Sequence, residues 1–210
     1  MDKYTKGDLH PLTLLQTQAY SLFSDLGFEI TAGPELETQW YNFDALNVPK
    51  DHPARDMQDT FYIKNDERLA SAGSPTQILG SPRTEFLDGA RPDHSSNLPS
   101  DTRLVLRTHA TNATAHVLER IAKENLNNFA SISIGKVFRN EATDATHEMQ
   151  FYQIDGCMVG VDINLSHMKA VLIEFYKKAL GEHVEIEFRP SFFPFTEPSV
   201  EVHAKFNGKW

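Results

Sequence analysis

The sequence predicts an α+β fold, an antiparallel β-sheet flanked by helices, and three observations predict it. Stretches with apolar residues at three- and four-residue steps fall near 11–26, 112–124 and 165–180, as amphipathic helices require. Shorter segments alternate with period two, and the clearest pair, within residues 129–161, is joined by a polar loop as a hairpin. Strands and helices lack the regular alternation of a parallel sheet, so antiparallel pairing is the better solution. The 210 residues suit one sizeable domain with its own core, and the chain contains no internal repeat.

The elements follow in order. In "HPLTLLQTQAYSLFSDLG", Leu12, Leu15, Ala19, Leu22 or Phe23, and Leu26 make a helical stripe. Pro11 suits a first helical position and Gly27 a C-terminal cap. "FEITAGPELE" predicts a strand ending near Gly33-Pro34, and residues 40–60 predict an ordered loop or short helical turns. Residues 64–102, rich in Ser, Gly, Pro and Asp, read as a surface excursion, either a long hairpin or a partly disordered insertion. "RLVLRTH" is a strand, followed by a helix around Asn112–Glu124. In the hairpin, an eight-residue loop lies near 141–148. Phe151, Gln153, Asp155, Cys157, Val159 and Val161 then share one face of the second strand, opposite Tyr152, Ile154 and Met158. The helix at 165–180 carries the stripe Leu165, Met168, Leu172, Phe175 and Ala179 and stops at Gly181; the helix stripes are expected to be core. "VEIEFRP" is a strand, and "PSVEVHAKFNGKW" begins another hairpin. Between them "FRPSFFPF" packs four phenylalanines and two prolines into eight positions. Prolines remove ladder donors, so this segment suits a pocket for a flat apolar ligand better than a core strand.

Composition narrows the functional classes. Lys and Arg total 20 against 29 Asp and Glu, a net charge of -9, which excludes a nucleic-acid binder acting through bulk positive charge. A local basic patch, or a partner chain that holds the nucleic acid, stays open. The one cysteine, Cys157, permits no internal disulfide or thiolate cluster, points to a reducing compartment and is expected to pack inside. No apolar run reaches membrane-span length and the N-terminus is not a signal peptide, so the expectation is a soluble, cytoplasmic protein with no membrane partner.

Several residues could carry chemistry. Arg139 stands at the loop end of a strand, and an even register would put it on the face of Phe151, Gln153 and Asp155. An arginine beside an aromatic ring can grip a phosphate while the ring stacks on a base; Gln153 and Asp155 could accept from an ammonium group. A surface arginine paired with Glu141 or Asp144 is the plainer alternative. His147 lacks the second histidine of a zinc-protease motif, and either contacts phosphate or caps its loop. His109 sits at a strand-to-helix junction that offers donors to anions, or serves there as a cap. No glycine-rich phosphate loop is present, so a nucleotide would be held by side chains on the sheet.

Four segments together, "GPELETQWYNFDALNVPKDHPARDMQDTFYI", "LRTHAT", "GKVFRNEATDATHEMQFYQIDG" and "FRPSFFPFTEPSVEV", resemble the α subunits of bacterial phenylalanyl-tRNA synthetases, class II aminoacyl-tRNA synthetases. The resemblance covers nearly the whole chain outside 64–102. It implies a class II catalytic core over residues 1–210, incomplete at the C-terminus, and ATP-dependent activation of phenylalanine followed by transfer to tRNA(Phe). The stretch around Gly33-Pro34 is similar to motif 1, which builds the subunit interface, and residues 135–156 resemble motif 2. Arg139 and Glu141 would be catalytic: Arg139 would hold the ATP α-phosphate, Glu141 and His147 would position ATP, and Phe151 would stack on adenine. His109, Thr111, Gln153 and Asp155 would hold the amino acid's carboxylate and ammonium groups, and Phe193 and Phe195 its phenyl ring. Glu197 would bind Mg²⁺ jointly with a β subunit in an α2β2 assembly.

Thr111 stands where many relatives have serine, and Asp155 where glutamate is common. The resemblance also implies a glycine-rich motif 3 after "NGKW" and an N-terminal coiled coil that grips tRNA; this sequence contains neither, so the isolated chain is expected not to complete aminoacylation. A catalytically silent synthetase fragment acting as a binding module is the alternative. A synthetase for a phosphorylated amino acid fits poorly, because "FFPF" offers no anion site.

Overall fold

Helix α1 (Pro11–Asp25) starts where His10 accepts the Leu12 N–H through Nδ1 (3.2 Å) and Pro11 fills the first helical position. It ends at Gly27, whose φ of +82° turns the chain out of the helix while the Phe28 N–H returns to the Phe23 carbonyl (2.9 Å). The computed structural model describes residues 7–56, 58–63, 103–145 and 147–210; the excursion expected at 64–102 lies outside them. Along the described chain follow β1 (Glu29–Thr31), β2 (Leu36–Thr38), α2 (Gln39–Asn42), two 3₁₀ turns (Asp44–Leu46 and Pro53–Arg55), β3 (Leu104–Leu106) and α3 (Asn112–Glu124). Then come β4 (Phe129–Phe138), β5 (Gln150–Val159), α4 (Leu165–Leu180), β6 (Glu185–Phe193) and β7 (Thr196–Lys205). The fold is α+β, as expected. Instead of one sheet, the described strands form three hydrogen-bonded groups: β1-β4-β5, β2-β3 and β6-β7.

The chain forms two compact units. The first comprises the described residues within Met1–Ile30, Asn128–Ile132 and Met158–Trp210, and the second those within Thr31–Asn127 and Ser133–Cys157, so β4 and β5 contribute residues to both.

In the first unit, α1 packs on α4, with Phe23 stacked on Phe175 (5.8 Å between centroids) and edge-on to Phe28 (5.3 Å). Phe23 and Ala19 are buried, but Leu12 and Leu26 are exposed, and α4 buries no residue fully. The α4 stripe is therefore not a closed core: its outer members Leu165 and Met168 are exposed. The aromatic segment also differs from expectation, since it is a strand. β6 pairs antiparallel with β7, Glu185 opposite Lys205 and Pro190 opposite Val200, with a register shift between Ser191 and Phe193. Pro190 is tolerated because, among the described residues, β6 has a neighbour on one side only, and Pro194 lies in the turn beyond the ladder. The hairpin expected from "PSVEV" onward is thus the return strand of this one. The chain then turns at Asn207 and Gly208, both with positive φ, and Phe206 bridges Lys209.

β1 ends at Thr31, near Gly33-Pro34 as expected, and in the second unit β2 follows and pairs antiparallel with β3 in the register Leu36↔Leu106. Residues 40–60 form short helical turns, as expected. Phe43, Val105 and Val137 are buried to 1% exposure or less, and Ala110, Ala113, Val117 and Ile121 of the α3 region are buried beside them in the core.

Candidate active site

The second unit builds its site around the β4–β5 hairpin. The Arg139 N–H donates to the Met149 carbonyl (2.9 Å), closing the loop ends of two consecutive, hydrogen-bonded strands, so they run antiparallel in an even register. Arg139 consequently shares a face with Phe151, and its guanidinium carbon lies 5.0 Å from the Phe151 ring centroid. Gln153 and Asp155 continue that face. The next backbone link, Asn140 N–H to Asp59 carbonyl (3.0 Å), fixes the start of the loop.

Both polar groups of β5 are tied to the start of α3. The Ala110 N–H donates to Gln153 Oε1 (2.7 Å), and Asp155 accepts from Thr111 Oγ1 (2.9 Å) and Thr114 Oγ1 (2.6 Å). Thr111 occupies the N-cap position of α3 yet makes no side-chain cap bond, because its hydroxyl is given to Asp155. Thr111 and Asp155, the two positions that the resemblance marks as departures, therefore bond to each other. With its carbonyl oxygen on a backbone donor, Gln153 turns its two N–H donors to other partners, which suits a carboxylate. Each Asp155 oxygen keeps a further lone pair, which suits an ammonium group.

His109 donates Nε2–H to the Asn42 carbonyl (2.8 Å), and its Nδ1 is buried with no partner in the described structure. Burial pushes the ring's pKa below its ordinary value of 6.5; the Asn42 bond and Asp155 oppose this, and Arg139 and Arg107 reinforce it. A neutral ring with Nε2 occupied presents Nδ1 as an acceptor, so it suits a donor such as ammonium and not a carboxylate. Beneath it, Arg107 is 3% exposed and donates Nε–H to the Lys136 carbonyl (2.7 Å) and Nη1–H to the Gly33 carbonyl (2.9 Å). A Cβ at Gly135 would lie 1.9 Å from Arg107 Nη2, so only glycine leaves room for this guanidinium.

Glu141 and His147 lie in the loop between the strands. His147 caps that loop: its N–H donates to Asp144 Oδ1 (2.9 Å), and its ring Nδ1 lies 2.9 Å from Asp144 Oδ2. The other expected site residues belong to the first unit. Phe193 ends β6 and Phe195 lies in the β6–β7 turn, with ring centroids 6.2 Å apart, and Glu197 is an exposed carboxylate near the start of β7. Among the described residues no three His, Cys, Asp or Glu side chains gather to hold a metal. Glu197 could supply one oxygen to Mg²⁺, and the rest of its shell would have to come from substrate phosphates, water or another chain. Cys157 is half-buried rather than packed inside, and burial, seconded by Asp155, raises its thiol pKa, which favours the thiol over the reactive thiolate. Among the described residues no helix is long and apolar enough to cross a membrane.

Sequence reasoning missed Thr114, Asn42 and Arg107. Thr114 was signalled by its three-residue step from Thr111 on one helix; nothing local signals Asn42 or Arg107, whose partners lie far along the chain.

The class of protein that carries these residues is given by comparison of the sequence with known families. The profile of the tRNA synthetases class II core domain (F) matches residues 1–210, and the chain belongs to that family. Within it, the chain is similar to proteins named phenylalanine–tRNA ligase alpha subunit. It is 40% identical to that of Rhodopirellula baltica over 204 residues, 97% of this chain and 52% of the relative. The relatives from Mycoplasma capricolum (39% over 198 residues) and Shouchella clausii (40% over 197) are covered over 46% of their length. The chain thus spans about half the length of the curated relatives it matches.

Proposed function

We propose that residues 1–210 serve as a catalytic core that activates phenylalanine with ATP and passes it to tRNA(Phe), working in the cytoplasm with a β subunit. One observation carries the reading: Arg139 lies over Phe151 on the same hairpin face whose Gln153 and Asp155 are locked to the start of α3. Arg139 would hold the α-phosphate, and a fixed guanidinium stabilises the charge that develops there without reorganising. With the guanidinium on one face of Phe151, adenine takes the remaining ring surface, and Glu141 and His147 border ATP from the loop. Asp155, Thr111 and His109 would receive the ammonium group and Gln153 the carboxylate. Phe193 and Phe195 would contact the phenyl ring, where aromatic pairs add about 0.5–1.5 kcal/mol each beyond area burial. Mg²⁺, with Glu197 as one ligand, would supply charge neutralisation at the phosphates.

The test is phenylalanine-dependent ATP–pyrophosphate exchange by the chain with a β subunit, beside calorimetric titration of both ligands. Arg139→Ala should lower exchange ~100–1000-fold, the cost of one such donor, with phenylalanine affinity nearly unchanged. Exchange unaffected by Arg139→Ala would remove the reading; phenylalanine binding with no exchange in the parent would make the chain a binding module.

A further inference from the structure

Asn42 is 0% exposed, and its side-chain amide and its main-chain carbonyl both bond to one pair of consecutive residues. Its Nδ2 donates to Thr108 Oγ1 (3.1 Å), its Oδ1 accepts the Thr108 N–H (3.2 Å), and its main-chain carbonyl accepts His109 Nε2–H (2.8 Å). A buried amide is costly unless paired, and here the pairing grips the segment that leads into α3. Asn42 is itself held. It ends α2, whose Tyr41 donates its hydroxyl to Glu119 (2.8 Å) and stacks on His116 (3.9 Å between centroids). His116 in turn lies 2.7 Å from the buried Glu37 carboxylate, beside the start of α2. Two layers of side chains thus stand behind Asn42, and none of them belongs to the proposed substrate set.

We propose that Asn42 is a positioning residue that sets the polarity of His109: by clamping Thr108 it seats the ring on its own carbonyl and leaves Nδ1 as an acceptor for a ligand's ammonium group. The side chain holds Thr108 in place, and the carbonyl then selects the Nε2–H tautomer. In that tautomer Nδ1 can only accept, so His109 favours a primary ammonium over an anion. The charged groups that bear on His109 are Asp155, Arg139 and Arg107, and all three are fixed by other contacts. The ligand named rests on the function proposed above; the tautomer does not.

The test uses the 210-residue chain labelled with ¹⁵N-histidine, read by long-range ¹H–¹⁵N correlation without ligand, which distinguishes the two ring tautomers and follows titration. In the parent, His109 should be Nε2–H and should protonate at lower pH than an ordinary histidine. Asn42→Ala should give a mixture of tautomers, move the titration midpoint upward, and weaken phenylalanine on the order of 10-fold, the scale of one misplaced hydrogen bond. Thr108→Val removes only the hydroxyl that Asn42 grips; it should move both signals the same way by less, and it carries the test should Asn42→Ala fail to fold. A folded variant with the parent's tautomer and midpoint overturns the proposal, because a merely structural Asn42 would lower stability without touching either signal. Since these signals are read without ligand, they stand apart from whether phenylalanine binds.

Discussion

In the second unit, Asn42, Asn112 and Thr60 are polar and at most 1% exposed; in the first, Phe192 is 77% exposed, Trp210 57% and Phe206 50%. The inversion is informative. Polar groups of the second unit are buried because directional bonds hold them: Asn42 to Thr108, Asn112 to Pro34 and Glu37, Thr60 to Ala54. Such a network is stiff, since removing one member strands its partner without water. The β6–β7 hairpin is held by its backbone ladder, so its aromatic side chains can change without breaking the element. A site that must place charges needs the first kind of construction; a surface that contacts a flat ring works with the second. Mutations should separate the two.

The largest effect is expected at Arg107. Arg107→Ala removes two donors from the part-buried carbonyls of Gly33 and Lys136 and a counter-charge from Glu35 and Glu37. Breaking a buried charged group's contacts typically costs ~3–5 kcal/mol. Urea denaturation of the chain should show a loss of that size; a loss under ~1 kcal/mol would mean that the second unit is not pinned by its polar interior.

Gly135→Ala attacks the same contact from the other side and should cost ~1–3 kcal/mol, the range for overpacking a filled interior. The Cβ would meet Arg107 Nη2 at 1.9 Å, and that side chain is tethered and cannot swing away cheaply. Combined with Arg107→Ala, the penalty should fall well below the sum, because the obstacle has gone. Additive losses would show that Gly135 matters for some other reason.

These two residues also show where sequence was readable. Arg107 stands in a plain strand pattern and Gly135 inside another, with nothing local to pair them; only the fold brings residues 33, 107 and 135 together. The face shared by Phe151, Gln153 and Asp155 was legible because period two fixes it without distant information, and the even register that adds Arg139 to it is set by the Arg139–Met149 backbone bond. The helix bounds were legible for the same reason, through Pro11, Gly27 and Gly181. The aromatic strand was not. Its prolines argued against a ladder, and sequence alone does not show that β6 would have one neighbour or that Pro194 would fall in the turn.

A titration gives a smaller effect. His109 has a depressed pKa in the folded chain, from burial first. Above the unfolded value of about 6.5 the ring is neutral in both states and costs nothing. As pH falls below 6.5 the unfolded chain takes up a proton that the folded chain does not, so stability declines until the folded ring protonates too. His109→Gln should flatten the decline of the stability–pH curve that sets in below about pH 6.5 in the parent. An unchanged slope would show that His109 is not held neutral by the second unit.

The smallest effect is expected on the hairpin of the first unit. Phe192→Ser replaces a large aromatic side chain near the end of β6, at its register shift, which in a filled interior would cost several kcal/mol. Phe192 is 77% exposed, so little of its surface is lost to solvent on folding, and the paired backbone of β6 and β7 stays as it is. Substitutions at such positions usually fall within about 0.5 kcal/mol, with a slight further loss from the weaker strand preference of serine. Urea denaturation at two protein concentrations tenfold apart decides the point. A small loss, equal at both, means that the exposed ring belongs to the single chain and that the two units differ as described. A loss above ~1 kcal/mol that appears only at the higher concentration means that another copy covers Phe192, because a contact between copies stabilises in proportion to the logarithm of concentration. The exposed aromatics would then be a buried layer of an assembly, and the contrast between the units would vanish on association.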